Sequence, residues 1–235
     1  MEKISKSVNE PKCLTDFKES RKIDGKPQTT TYKELPGDIK DEYKKALLAE
    51  QFFLCAYCNV LLVDSKEELK RMKIEHWKPQ SKCEQDDNYG TIDCDDLNHQ
   101  NMLLVCAGEN QNPRYNHCDS ARTEGSELTI KPQDKDYYFE KQLKYHDSRL
   151  IPQTEDKAIE HDLDYELNLN NDDMIDKRRY ALDAVIKEIL KVGKDKIDKK
   201  ILLEKFSKPD SRNKKKQYCT YIRTYLFEKL TTSQK

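Results

Sequence analysis

The sequence lacks any long apolar run. No window of its 235 residues approaches the roughly 18 apolar residues that a membrane-spanning helix needs, so we expect no transmembrane helix. We also expect no export signal, because the first twelve residues, MEKISKSVNEPK, contain no apolar stretch. We therefore expect a cytoplasmic protein. In a reducing cytosol, clustered cysteines bind metal or stay free more often than they form disulfides.

Apolar residues are scarce as well. The chain is 37% charged and 35% hydrophobic, with a mean hydropathy of −1.02. This composition argues against one large apolar core and predicts a compact centre with solvated, helical flanks.

The formal net charge is only −1, which excludes no class of partner, but the charges are unevenly distributed. Residues 177–235 hold 18 basic and 7 acidic side chains, a net of +11, whereas residues 131–176 hold 6 and 13, a net of −7. A basic end is typical of a polyanion-binding surface and also of solvated helices. The acidic region favours protein docking or a solvated face over phosphate contact.

Four of the eight cysteines form a pattern that predicts a metal site. Cys55 and Cys58, two residues apart, can bind one metal from a tight turn, and structural zinc requires four such ligands. Cys106 and Cys118 are the expected second pair, because the loop between them is rich in turn-forming residues. Two alternatives stay open: His117 replaces one thiolate, or the cysteines are unliganded core residues.

The other four cysteines fall outside this pattern. Cys83 and Cys94 flank an acidic loop and could belong to a second metal site, although ordinary free thiols are the favoured interpretation. Cys13 and Cys219 have no assigned role.

The dipeptide Glu75-His76 lies between the two cysteine pairs, in a short strand that Pro79 ends. Adjacent strand residues point to opposite faces. Glu75 can therefore hold a divalent cation while His76 takes a proton from an attacking water, because imidazole titrates near neutral pH. A Glu-His pair alone is usually surface polar sequence, and its position between the cysteines favours a catalytic site.

An asparagine, Asn101, immediately precedes the short apolar strand MLLVC. It can cap the preceding loop and hold the imidazole of His76 in one tautomer, or it can be an ordinary turn residue. His99, two residues earlier, is interpreted as a loop residue.

The stretch Asn116–Arg122 is expected to open a helix directly after the last cysteine. Asp119 would point a second carboxylate at the metal held by Glu75, and hard oxygen ligands suit Mg²⁺ or Mn²⁺. Asp119 could instead be only the helix N-cap. Arg122 lies one turn further, where a cation could meet the scissile phosphate.

Periodicity predicts the remaining elements. A helix is expected from an N-cap at Asp38 to about Phe53, and residues 1–12 are expected to be extended or frayed. A β-hairpin is expected within residues 131–152, with its turn at Asp147-Ser148. Further helices are predicted at Met174–Val192, Lys199–Phe206 and Lys214–Leu230.

Basic and aromatic residues alternate in the last predicted helix. The segment combines Lys214, Lys215 and Lys216 with tyrosines at 218, 221 and 225. Nucleic-acid binders often show this interleaving, and Lys78 is a further candidate contact. The helical spacing of the tyrosines favours buried packing.

These features define four expected segments: an N-terminal arm (1–37), a zinc-stapled core (38–130), an acidic hairpin and linker region (131–173) and a basic helical region (174–235).

Taken together, the motifs resemble the HNH endonuclease superfamily. They are a CxxC pair, Glu-His-x-x-Pro, an asparagine before the LLVC strand, and Cys-Asp. The sequence is most similar to the PtuB-like HNH proteins of Septu and certain retron anti-phage systems. That similarity extends over LLAEQFFLCAYC, IEHWKPQS, NMLLVCAGE, HCDSARTEGSEL, IKP and LNLNN, which together span roughly residues 30–190.

The resemblance implies an α+β, mostly helical protein with a zinc-stapled ββα-metal core, flanking helices and a hairpin. It implies His76 as general base, Asn101 as the orienting asparagine and a catalytic Mg²⁺ or Mn²⁺ on Glu75 and Asp119. It also implies structural zinc on the four cysteines and an ABC/SMC-like, PtuA-like ATPase partner. Many HNH proteins carry His or Asn where this chain has Asp119, and a lysine-type cation where it has Arg122.

The expected function is metal-dependent hydrolysis of nucleic-acid phosphodiester bonds in anti-phage defence. The alternative is a catalytically silent, zinc-stabilised binding or regulatory module. The sequence does not choose between DNA and tRNA.

Overall fold

The computed structural model describes residues 1–23, 26–27, 30–91, 94–193 and 198–232. Within them the chain is α+β and mostly helical, as predicted. The helices are α1 (Lys12–Ser20), α2 (Gly37–Glu50), α3 (Lys66–Arg71), α4 (Gln80–Cys83), α5 (Phe139–Gln142), α6 (Lys157–His161), α7 (Asp172–Val192), α8 (Lys199–Ser207) and α9 (Cys219–Thr232). None of these described helices combines the length and apolar character needed to cross a bilayer.

In the described part of the chain, six short strands form antiparallel pairs. They are β1 (Lys22–Ile23) with β2 (Lys26–Pro27), β3 (Lys73–His76) with β4 (Met102–Val105), and β5 (Leu143–His146) with β6 (Arg149–Pro152).

The β3–β4 pair carries the sequence motifs. Glu75 lies opposite Leu103 and His76 opposite Met102. All four residues of β4 are buried, which fits its continuous apolar sequence. The backbone N–H of Trp77 donates to the carbonyl of Asn101 (2.9 Å), so the pairing continues one residue past the strand.

Helix α2 leads directly into the cysteine turn. It was expected to reach about Phe53, but it ends at Glu50, because Phe52 and Phe53 adopt left-handed backbone angles (φ 53° and 62°) that reverse the chain. The side chain of Gln51 bonds both backbone groups of Leu104 in β4, at 2.8 Å each. This contact fixes the end of α2 against the central strands.

The start of α2 also differs from the prediction. Pro36, rather than Asp38, stands at the N-cap, and Asp38 lies in the first turn. Its carboxylate there still suits the positive end of the helix dipole.

The helix expected from Asn116 to Arg122 is wrong. Residues 118–120 form a single 3₁₀ turn, and residues 121–138, all of which the structure describes, contain no helix. Cys118 has a left-handed backbone (φ 54°), and its N–H donates to the carbonyl of Leu167 (2.9 Å). The chain therefore turns towards the segment before α7, so the ββα order of the prediction does not form. Asp119 is accordingly not the cap of an α-helix.

The hairpin prediction is confirmed. Strands β5 and β6 are joined by Asp147 and Ser148, whose positive φ values (46° and 68°) suit a two-residue turn that matches strand twist. Helices α7 and α8 also form where periodicity places them.

The last helix begins later than predicted. Helix α9 starts at Cys219, so the lysines at 214–216 lie in the preceding loop. Tyr218 and Tyr221 are buried, with 5% and 6% of their surface exposed, which confirms the interpretation that they pack in the core.

The first residues are not frayed. Met1 and Ile4 are buried, and the carboxylate of Glu2 accepts hydrogen bonds from Lys215 (2.8 Å), Thr220 (2.6 Å) and Arg223 (3.0 Å). The four expected segments all contribute to one apolar core.

Candidate metal centre and active site

Four cysteine thiols converge at the centre of the fold, as the spacing predicts. The Sγ atoms of Cys55, Cys58, Cys106 and Cys118 lie within 4.8 Å of one another. The shortest separations are 3.7 Å (Cys55 to Cys118 and Cys58 to Cys106) and 3.8 Å (Cys106 to Cys118). These sulfurs are too far apart for disulfides, which need about 2.05 Å. The cluster could hold a structural metal such as zinc.

The spacing of the sulfurs fits a tetrahedral ion. Zn–S bonds are about 2.3 Å, so a tetrahedral zinc separates its sulfurs by about 3.8 Å. Three of the four thiols are buried and Cys106 is half-buried. Burial opposes ionisation of Cys58, but hydrogen bonds from the other three cysteines and His117 bring the pKa of its thiol well below the usual value. A thiolate is the form that binds metal.

Two close backbone turns assemble the cluster. The N–H of Cys55 donates to the carbonyl of Val60 (3.0 Å), which closes the first turn. The loop before Cys118 is closed by a bond from the His117 N–H to the Gly108 carbonyl (2.8 Å). A Cβ at Gly108 would lie 2.0 Å from the carbonyl oxygen of His117, so only glycine fits there.

His117 lies beside this four-ligand group. Its Nε2 is 3.7 Å from the Cys106 sulfur, and its Nδ1 is 3.2 Å from the carbonyl of Tyr115. The arrangement favours four thiols, with the histidine next to them, over replacement of one thiol by His117.

The remaining cysteines are free and buried. Across the described ranges, the four-cysteine group is the only one in which three or more His, Cys, Asp or Glu ligands come this close. This supports free thiols over a second metal site at Cys83 and Cys94.

A cleft of about 240 Å³ opens beside β3. Its lining includes four of the predicted site residues, Glu75, His76, Asp119 and Arg122, together with Gln80. His76 is the last residue of the strand, and both residues of the Glu-His dipeptide line this cleft.

Glu75 and Asp119 line the same cleft, where their carboxylates influence each other's ionisation. Burial and the neighbouring Asp119 carboxylate raise the pKa of Glu75 to about 8, against the opposing charge of Arg122. Burial opposes ionisation of Asp119 too, but hydrogen bonds from Glu75 and Lys73 hold its pKa below the usual value. The two carboxylates therefore tend to share one proton, because two negative charges so close together repel each other. A cation bound between the carboxylates would relieve this repulsion in place of the proton.

The imidazole of His76 is 5% exposed and held on both sides. Its Nε2 lies 2.8 Å from the backbone carbonyl of Asp96, and its Nδ1 lies 3.1 Å from Nε2 of Gln80. The ring of Tyr32 packs edge-on against it, with centroids 4.6 Å apart. Burial lowers the pKa of His76, which favours the neutral imidazole that a general base requires.

The direct role predicted for Asn101 is wrong. Its side chain contacts backbone rather than imidazole: Oδ1 accepts from the Lys78 N–H (2.7 Å), and Nδ2 donates to the carbonyls of Lys78 (3.1 Å) and Asp95 (3.0 Å). Asp95 precedes the residue whose carbonyl binds His76. Asn101 therefore positions the two segments around the imidazole, and Asp96 makes the contact itself.

Arg122, the predicted phosphate contact, is engaged by groups of the chain itself. Its guanidinium is buried in an ion pair with Glu75 and donates to the carbonyls of His76 (2.9 Å), Trp77 (2.9 Å) and Ser126. Its Nε donates to the Ser126 hydroxyl (3.3 Å). A guanidinium has five N–H donors, and these contacts within the described chain engage all of them.

The candidate lysines are placed differently from one another. Lys78 bonds the carboxylates of Asp86 (2.6 Å) and Asp95 (3.0 Å), so its charge is balanced locally. Lys214 and Lys215 lie over the rings at 53 and 52, 4.4 and 4.8 Å from the centroids, while Lys216 is exposed. Of these four candidate lysines, Lys216 is the exposed one, and no contact within the described residues holds its ammonium group.

His99, which had no predicted role, belongs to a buried network. Its Nδ1 is 2.7 Å from the hydroxyl of Tyr43, and its Nε2 is 3.1 Å from Glu50, which also pairs with Lys6 (2.6 Å). The network joins the N-terminal arm to α2 and the segment before β4.

Sequence reasoning missed three contributors to the cleft. Lys73 lies 3.1 Å from Asp119, the hydroxyl of Tyr57 donates to Glu75 (3.3 Å), and Gln80 bonds His76. Lys73 could have been found, because it stands two residues before Glu75 on a strand and so shares its face. The contacts of Tyr57 with Glu75 and of Gln80 with His76 depend on how the folded chain brings these side chains together, which no local sequence pattern reveals.

Comparison with protein-family models and with curated proteins finds no match to the chain. Its function is therefore argued from the site itself and from the motifs.

Proposed function

We propose that this chain is a metal-dependent HNH-type endonuclease that hydrolyses nucleic-acid phosphodiester bonds. The observation that carries the proposal is one cleft lined by a carboxylate pair, Glu75 and Asp119, and by a neutral, doubly held imidazole, His76. This set of groups suits phosphodiester hydrolysis, which needs a cation near the phosphate and a base near the water.

The two carboxylates would hold a Mg²⁺ or Mn²⁺ ion, because hard divalent cations prefer oxygen ligands. Bound there, the metal supplies charge that stabilises the pentacoordinate phosphate and the leaving 3′ oxygen. Arg122 holds Glu75 in place and partly balances the pair. Lys73 does the same for Asp119.

His76 acts as the general base in this proposal. Because its Nε2–H donates to the Asp96 carbonyl, the lone pair is on Nδ1, the atom that would take the proton from water. The same carbonyl would stabilise the imidazolium that forms. Asn101 keeps the Asp95–Asp96 segment in position for this contact.

Zinc on Cys55, Cys58, Cys106 and Cys118 would act as a structural staple. Its role would be to fix the turn before β3 against the end of β4, because a chain with few apolar residues gains much of its stability from bound metal.

The proposed substrate is DNA or tRNA, and the proposed partner is an ABC/SMC-like, PtuA-like ATPase in an anti-phage system of the cytoplasm. The motif resemblance to PtuB-like HNH proteins supports this context, and the net charge of +11 over residues 177–235 supports a polyanionic substrate.

A second candidate is a catalytically silent, zinc-stabilised binding or regulatory module. One observation favours it: the cleft is satisfied by its own side chains, with Arg122 on Glu75 and Gln80 on His76.

A cleavage assay separates the two candidates. Plasmid DNA and total tRNA are incubated with Mg²⁺ or Mn²⁺ and either wild type or His76→Ala, with and without the candidate ATPase. His146→Ala is the matched control, because His146 is exposed on the hairpin. Metal-dependent cleavage by wild type and the control, but not by His76→Ala, supports the nuclease and identifies its substrate. No cleavage by any protein, even with the partner, would leave the binding module.

A further inference from the structure

Gln80 is the first residue of α4, directly after Pro79, and its side chain lines the cleft. Its amide nitrogen lies 3.1 Å from Nδ1 of His76. No other side chain in the described residues makes a hydrogen bond to this ring, because the second contact is to the backbone of Asp96. Within the described residues, Gln80 is therefore the side chain that hydrogen-bonds the His76 ring.

The geometry determines which atoms carry hydrogen. The Asp96 carbonyl can only accept, so Nε2 of His76 must be protonated (2.8 Å). A neutral imidazole then has a bare Nδ1, which can only accept. The glutamine must consequently present its NH₂ group, as it does here, rather than its oxygen.

We infer that Gln80 is a positioning residue for His76: its amide donor holds the ring with an unprotonated Nδ1 turned to the cleft, at the place that the attacking water takes. The part of this inference that concerns water rests on the proposed function. The hydrogen bond itself can be tested without any cleavage.

The step that follows is conventional hydrolysis. The attacking water displaces the Gln80 amide from Nδ1 of His76 and donates a proton to Nδ1. Its oxygen forms the new bond to phosphorus. The bond from phosphorus to the 3′ oxygen breaks with its electron pair, and that oxygen takes a proton from solvent. The displaced amide keeps a donor beside the water or a phosphate oxygen.

Two substitutions of nearly equal size test this. Gln80→Glu replaces the donor by an acceptor and favours a proton on Nδ1, whereas Gln80→Met removes the contact and leaves Nδ1 bare. Gln85→Glu is the matched control, because it adds the same charge at an exposed position five residues along.

The first readout is the ¹⁵N spectrum of histidine-labelled, metal-loaded protein at one fixed pH, with His76 assigned by its loss in His76→Ala. Wild type, Gln80→Met and the control should show Nε2 protonated and Nδ1 bare. Gln80→Glu should show a proton on Nδ1. An unchanged His76 signal in Gln80→Glu, in protein that circular dichroism shows to be folded, overturns the inference.

The second readout is the cleavage rate. Gln80→Glu should lower kcat by about 100-fold or more, the range for loss of a general base, with little change in KM. Gln80→Met should lose less than about 10-fold, because Asp96 still selects the tautomer. If wild type cleaves nothing while the spectra behave as expected, the nuclease proposal fails and the positioning of His76 by Gln80 stands.

Discussion

The cysteine cluster and the cleft beside β3 differ in how their ligands are held. Three pairs of the cysteine Sγ atoms are 3.7–3.8 Å apart, near the spacing for tetrahedral zinc. In the cleft, by contrast, Glu75 is paired with Arg122 and His76 with Gln80. The first site is arranged by backbone turns, whereas the second is held by contacts between side chains.

Two glutamates, the buried Glu75 and the half-buried Glu2, extend this contrast. Glu2 and Glu75 each contact an arginine, yet burial and Asp119 raise the pKa of Glu75 to about 8, while Glu2 has a pKa lowered to about 2. Burial opposes the ionisation of Glu2, but Arg223, Lys215 and Thr220 outweigh it. A buried carboxylate is thus stabilised as an anion where its partners are cations, and keeps its proton where one partner is another carboxylate.

The largest effect is expected at the cysteine cluster. Cys118→Ser removes a fully buried ligand and should lower the free energy of unfolding by on the order of 5 kcal/mol or more, because structural zinc contributes about 10–16 kcal/mol in zinc-finger peptides. Bound zinc would be measured by elemental analysis and stability by thermal unfolding.

Cys13→Ser is the control, since Cys13 is buried outside the cluster. Equal zinc content and equal Tm for the two variants would contradict a metal role for the cluster.

The next effect tests the side chains that hold the cleft. Arg122→Met should cost about 3–5 kcal/mol, because it leaves Glu75 buried without its counter-charge and several carbonyls unbonded. Arg114→Met breaks an ion pair whose side chains are 68% and 69% exposed and should cost less than about 1 kcal/mol. Urea unfolding of both variants gives the comparison. Similar losses for the two would mean that Arg122 is not a structural support.

A smaller, pH-dependent effect is expected at Glu2. Its pKa is depressed in the folded state, from 4.5 to about 2, so its contribution is fully present above pH 4.5 and is lost as the pH falls towards 2. Glu2→Gln should therefore be about 2–3 kcal/mol less stable than wild type at neutral pH.

The difference should shrink between pH 4.5 and 2. Urea unfolding at several pH values measures it. A gap that stays constant down to pH 2 would contradict the ion pairs with Lys215 and Arg223.

The smallest effect on stability is expected for Asp119→Asn. Its side chain is 30% exposed, so the change should alter unfolding by about 1 kcal/mol or less. Mn²⁺ binding at the cleft, followed by electron paramagnetic resonance, should nevertheless be lost. Asp136→Asn is an exposed control. Mn²⁺ affinity equal to that of wild type would exclude Asp119 as a ligand.

Local patterns were sufficient for several features. The spacing of Cys55 and Cys58 and the turn residues before Cys118 predicted a four-thiol cluster, and a two-residue turn predicted the hairpin. The Glu-His dipeptide and Asp119, which the sequence placed in one site, line the same cleft. These predictions succeed because ligand type, period and turn chemistry are properties of short segments.

The partners of the site residues depended on the tertiary structure. Arg122 reaches Glu75 across 47 positions of sequence, and His76 bonds the carbonyl of Asp96 across 20. Asn101 was assigned the imidazole but bonds the backbone around it. The sequence therefore specified which chemical groups are present and which elements carry them. Only the folded chain decided which group contacts which, because hydrogen bonds and ion pairs form by distance in space, and distant segments approach each other through the shared core.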